Sequence, residues 1–159
     1  MEKKKSGFSI RPVYDNEYET AMGLAWKTFL RFEAEDYTPQ GVKSFEEFIT
    51  NQTLKKLYDT GQYPIFVAVS EGELIGMISL RCRTHISLLF VDERYHYLGV
   101  GRSLIEYVCT YISEQLGEFK VTVNASPYAV GFYHRLGFTD MGPEQLSDGV
   151  RYTPMSLIL

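Results

Sequence analysis

The spacing of apolar positions changes several times along the chain, and each change marks an element. Tyr18, Met22, Ala25, Trp26 and Phe29 recur at the three-to-four interval of one helix face. A short extended run, about Phe8 to Arg11, precedes them. Ser44-Phe-Glu-Glu47 has the form of a capping box and predicts that a second helix opens there, while Leu54, Leu57 and Tyr58 predict a third short turn. The pattern then shortens to strands. Ile65 to Ser70 and Leu74 to Leu80 flank a Glu71-Gly72 hairpin turn, and His85 to Val91 follows. After Gly99 the helical period returns, with Val100, Leu104, Val108 and Ile112 on one face and Ile105 and Leu116 beside them. A strand from Phe119 to Val123, a helix ending at Gly137 and a last apolar strand complete the chain. This mixed order predicts an α+β sheet with helices on its faces. Repeats, low-complexity tracts and linkers are absent from the sequence, so residues 1–159 are expected to form one domain.

Composition narrows the classes of function. The chain is 45% apolar and 23% charged, with a formal net charge of −4. Nucleic-acid binding calls for a basic stripe, and the sole basic run, Lys3-Lys4-Lys5, lies at a terminus. No stretch has the length of an apolar membrane span or the core of a signal peptide. Cys82 and Cys109 form no Cys-x-x-Cys pair, and both are expected to be free thiols in a cytoplasmic protein. His85, His96 and His134 show no metal-ligand spacing, so no metal is expected.

The segment from Val91 to Ser103 carries the first functional signal. A strand stops, a charged and aromatic turn follows, and Gly99-Val100-Gly101 opens a helix. Glycines at such a crossover let bare backbone approach a ligand. The first helical N–H groups lack intrahelical partners and point to the same place, which makes an anion cradle. A tight turn alone would explain the two glycines equally well. No Gly-Lys-Ser/Thr follows, and the third glycine of a dinucleotide fingerprint is missing. A second segment, Asn124-Ala-Ser126-Pro to Phe132-Tyr133-His-Arg-Leu-Gly137-Phe138, follows the next strand.

Together the two segments resemble the cofactor-binding segments of the GNAT superfamily of N-acetyltransferases. Val91, Gly99 and Gly101 fall in the family's register, with His96 where the family has Arg or Gln. Phe132-Tyr133 and Gly137-Phe138 match its Phe-Tyr-x-x-x-Gly-Phe, Pro154-Met155 its closing pattern, and Ser9-Ile10-Arg11-Pro12 its first strand. The resemblance implies a three-layer α/β/α fold, with a mixed, mostly antiparallel sheet of six or seven strands splayed between the fourth and fifth. It implies acetyl-CoA as co-substrate, a primary amine as acceptor and direct transfer in a ternary complex. A small-molecule acceptor is favoured; a protein lysine or N-terminus is the alternative, and a non-catalytic acyl-CoA sensor is the reading from another class. A homodimer is the family's tendency.

The resemblance also assigns candidate residues. Phe90, Val91, His96, Tyr97, Leu98, Gly99, Val100, Gly101, Arg102, Ser103, Asn124 and Tyr133 would bind the cofactor. A backbone N–H near Val91 would polarise the thioester carbonyl, as preorganised donors do in acyl transfer. Tyr133 would be the general acid, since a phenol (pKa near ~10) is protonated at neutral pH and can supply a thiolate. The general base is less legible, because the strand from His85 to Val91 holds no carboxylate. His85 is the nearest titratable group, suitable in pKa. Glu33, Glu35 and Asp36, after the first helix, would line the acceptor cleft and serve as base or attract a cationic amine. Cys82 is expected to be a packed thiol, and Ser126 ahead of Pro127 a helix N-cap.

Overall fold

The computed structural model describes residues 7–159, so the Lys3-Lys4-Lys5 run lies outside the described residues. Strands β1 (Ser9–Pro12), β2 (Ile65–Ser70), β3 (Glu73–Arg81) and β4 (His85–Val91) form an antiparallel meander in chain order. Strand β5 (Lys120–Ala125) then pairs in parallel with β4, and β8 (Val150–Ile158) lies antiparallel to β5. Two short strands, β6 (Thr139–Asp140) and β7 (Gln145–Ser147), pair with β8. The sheet therefore has eight strands rather than six or seven. The additional strands are two and three residues long, too short to show a period-two pattern in the sequence.

Helices cover both faces. Helices α1 (Tyr18–Phe32), α2 (Pro39–Ile49) and α3 (Gln52–Asp59) lie on one side, where Ala25, Phe29, Ile49 and Leu54 close on Val67, Met77, Leu88 and Phe90. Helices α4 (Val100–Thr110) and α5 (Val130–Arg135) lie on the other, where Leu104, Val108 and Tyr133 close on Ala68, Ile78, Ile86 and Val123. Strands β2 and β3, covered on both sides, bury both faces, which is why they read as near-continuous apolar runs. Glu71 and Gly72, with φ of 51° and 76°, give the β2–β3 hairpin the left-handed pair that a tight two-residue turn requires.

Four local expectations change. Helix α2 starts at Pro39, not Ser44: Thr38 Oγ1 accepts from the Gly41 N–H, and proline at the first position has no N–H to satisfy. Ser44 sits in mid-helix, so its capping-box spacing with Glu47 is incidental. The third short turn is an eight-residue helix, α3, capped by Asn51. Strand β5 continues through Asn124 to Ala125, and α5 opens after Ala129 rather than Ser126. Among the described residues no helix is long and apolar enough to cross a membrane.

Candidate active site

A bulge and a divergence between strands build the site. Ser79 faces Leu88 and Leu80 faces Ile86, so Ser87 is an extra residue in β4. Strand β5 pairs with β4 only at His85–Thr122 and Ile86–Val123, then leaves it. Asp92 donates its N–H to Ile75 O of β3. Backbone groups alternate sides along a strand, so Leu89 and Val91 turn theirs the other way, into the gap β5 has left. The splay between the fourth and fifth strands is therefore present. The Val91 carbonyl is taken by His96, whose Nε2–H donates to it at 2.8 Å. The Leu89 and Val91 N–H groups remain aimed at the opening.

The two glycines of the turn do different work. Gly99 has φ of +83° and open space where a Cβ would stand, so its backbone is bare to a ligand. It is also the N-cap of α4, with no side chain capping it, so the helix N-terminus keeps its donors for an anion. A Cβ on Gly101 would lie 3.2 Å from the Phe132 ring. That glycine lets α5 pack against the first turn of α4, which joins the two cofactor segments. Tyr97 is 95% exposed with φ of +63°. Arg102 pairs with Glu106 at 2.9 Å. Ser103 bonds its N–H to Gly99 O and lines a separate groove behind α4 with Ile10 and Tyr107.

A cleft of ≈ 590 Å³ runs from this opening across the sheet face under α2, walled by Phe45, Phe48 and Tyr152. Phe90, Asn124 and Tyr133 line it, and so does Glu33; Glu35 and Asp36 do not. Glu33 follows the last residue of α1, at the negative end of that helix. It is only half-buried by surface, yet it is enclosed by the cleft walls. Desolvation first, then the charge of Asp36, pushes its pKa up from 4.5 to about 7. The Ser126 hydroxyl pulls the other way. That pull outweighs the Asp36 charge but not the desolvation, even though Ser126 Oγ reaches no partner with full hydrogen-bond geometry. Ser126 is instead a buried, unpaired hydroxyl on the cleft wall.

Tyr133 is buried, stacked edge-on to Phe132 and Phe138. Burial, then the nearby Glu33 charge, raises its pKa above the ordinary phenol value. The phenol therefore stays protonated at neutral pH. His85 lies at the far end of the cleft. Its Nδ1–H donates to Thr122 Oγ1 at 2.8 Å, while its Nε2 faces the Arg81 guanidinium at 3.4 Å. A guanidinium only donates, so the lone pair is on Nε2 and is turned toward Arg81. Burial, then the Arg81 charge, lowers the His85 pKa to about 4. His85 is neutral at pH 7 and a weak base. No group of three or more His, Cys, Asp or Glu able to hold a metal occurs among the described residues.

The residues fit the pantetheine and diphosphate of coenzyme A: two N–H groups in the splay, an uncapped helix N-terminus and an unpaired Ser126 hydroxyl. Comparison with known proteins gives the family. Residues 33–159 match the acetyltransferase (GNAT) domain, and the chain belongs to that family. It is 32% identical over 88 residues to the peptidyl-lysine N-acetyltransferase YjaB of Escherichia coli (54% of this chain, 56% of that one). It is also 32% identical over 84 residues to the glucosamine 6-phosphate N-acetyltransferase of Trypanosoma brucei brucei (46% and 56%). The chain thus spans about half the length of these curated relatives. A GCN5-related N-acetyltransferase from Rhodopseudomonas palustris superposes with a TM-score of 0.82 at 21% identity, covering 97% of both chains. The PaiA N-acetyltransferase of Thermoplasma acidophilum, solved with coenzyme A, gives 0.76 at 18%, covering 96% and 99%. At those identities the superpositions establish the fold.

Proposed function

We propose that the protein transfers an acetyl group from acetyl-CoA to the primary amine of a small molecule, directly and within a ternary complex. Glu33 carries this reading: a carboxylate with pKa of about 7 stands in the same cleft as Tyr133 and the opened edge of β4. Bound acetyl-CoA supplies an activated acyl carbonyl and a thiolate leaving group. The residues of the chain do the rest.

The Leu89 and Val91 N–H groups donate to the coenzyme's polar atoms, one of them to the acyl oxygen as charge gathers there. Gly99 and the first turn of α4 hold the diphosphate, and Asn124 and Ser126 bond the pantetheine arm. Glu33 takes one proton from the ammonium group, and the freed lone pair forms the N–C bond as the C–S bond breaks. A carboxylate near pH 7 does this better than one at 4.5, because base strength and ionised fraction are then balanced. Tyr133 gives its proton to sulfur, and the second proton shed by nitrogen restores the phenol. Glu33 then releases its proton to water.

Thiol release from acetyl-CoA with a panel of amines and lysine peptides tests the reading, with Glu33→Gln and Tyr133→Phe as controls. Turnover that both substitutions lower strongly is the expected result. Saturable coenzyme A binding without turnover on any acceptor would make the protein an acyl-CoA sensor instead. The match to a peptidyl-lysine acetyltransferase favours lysine as the second reading, which turnover confined to peptides would establish.

A further inference from the structure

The acceptor side of the cleft is electrically two-ended, and the reaction proposed above uses one end. Glu33 is the acid beside Tyr133. At the other end stand Arg81 and His85. Arg81 ends β3, and its side-chain hydrogen bond is the long one to the uncharged His85. No carboxylate pairs with it among the ion pairs of the described residues, in contrast to Arg94, which holds both Asp92 and Glu73. His85, neutral and bonded to Thr122, adds no competing charge.

Beside it a second, independent feature points outward. Ser79 Oγ, fully buried, donates to Tyr63 OH at 2.7 Å, and Tyr63 OH donates to Ser87 Oγ at 2.8 Å. Ser87 is the bulge residue of β4 and lines the cleft. Because its oxygen already accepts from Tyr63, its own O–H is left to donate into the cleft. A guanidinium and a hydroxyl donor together suit a carboxylate or phosphate oxygen.

We propose that the acceptor carries an anionic group, carboxylate or phosphate, remote from its amine, and that Arg81 and Ser87 hold this group while the amine faces Glu33. This deepens the transferase reading and rests on it. Strand rise sets the scale: Ser87 is two residues and His85 four residues before Leu89, so amine and acid stand roughly 7–13 Å apart. Among the three acids that follow α1, only Glu33 lines the cleft. The remaining cleft acid, Asp148, is exposed at the β7–β8 turn, so a polyamine finds little to bind its second charge.

The experiment compares aminohexanoate, aminohexyl phosphate and hexanediamine as acceptors, measuring kcat/KM for each with acetyl-CoA. Both acidic acceptors should exceed the diamine by about tenfold through KM, and their order says which anion the cleft prefers. Arg81→Gln should erase most of that preference and Ser87→Ala part of it, with Arg81→Lys restoring much of it. Preference for the diamine, or an Arg81→Gln variant that lowers all three equally, would overturn the proposal. Calorimetric binding of acetamidohexanoate, the acetylated product of aminohexanoate with no free amine left to react, separates the two claims. If no amine is acetylated, the transferase reading fails, while acetamidohexanoate binding that Arg81→Gln weakens still upholds the anion end. Absence of that binding in the unaltered protein would sink it.

Discussion

The two halves of the cleft are built from different materials. From Val91 to Gly101 the site is backbone: N–H groups released by a strand splay, an uncapped helix start and one glycine at φ of +83°. From Glu33 to Arg81 it is side chains brought from α1, β3, β4 and α5. Backbone donors are fixed by the fold and tolerate many side chains, as His96 in the Arg/Gln position illustrates. Side-chain groups depend on burial and neighbours for their pKa, so a single substitution removes their chemistry. The two halves should therefore respond differently to mutation.

Glu33→Gln should show the largest effect, lowering kcat by roughly a thousandfold, since the amide cannot take a proton. The pH profile should report the same group. Glu33 must be ionised to act, so kcat/KM should rise with pH through about 7, and the variant's residual rate should lack that limb. Tyr133→Phe should lower kcat by about a hundredfold with little change in acetyl-CoA KM. Equal losses in kcat and coenzyme affinity would recast Tyr133 as a cofactor contact.

In the backbone half the effects should fall on affinity. Gly99→Val forces a β-branched residue into the left-handed region, and acetyl-CoA KM should rise about tenfold. His96→Ala removes one hydrogen bond to the Val91 carbonyl and should raise acetyl-CoA KM by only about threefold, with His96→Gln recovering part. A loss in kcat without a change in KM from either substitution would blur the division. The smallest expected signal is thermal. A carboxyl whose folded pKa lies above its unfolded value keeps its proton longer when folded, so stability is lost as pH rises from about 4.5 to about 7. Glu33→Gln should gain Tm relative to the parent at pH 8 and little at pH 4.

Sequence patterning located the long elements because their burial is regular: the α1 and α4 faces, the β2–β3 hairpin and β4 all lie close to where period and turn residues put them. Spacing misplaced the start of α2, since Ser44 and Glu47 have the right interval while Thr38 and Pro39 hold the actual cap. It also read Ser126 as a helix N-cap and passed over Ser87 and Arg81, because a serine at a bulge or an arginine at a strand end carries no periodic signal. Composition treated Glu33, Glu35 and Asp36 as one acidic group. Only folding separates them, by placing one in the cleft and two outside it.

Local sequence accounts for the helix start in the backbone half, while the splay that frees the Leu89 and Val91 N–H groups depends on where β5 leaves β4. A strand, two glycines and a helix in succession impose a bare helix N-terminus through local sterics and unpaired N–H groups, whatever surrounds them. The side-chain half was decided by tertiary structure alone. The pKa of Glu33, the tautomer of His85 and the unpaired charge of Arg81 follow from which distant residues desolvate or face them, and no local pattern encodes that proximity.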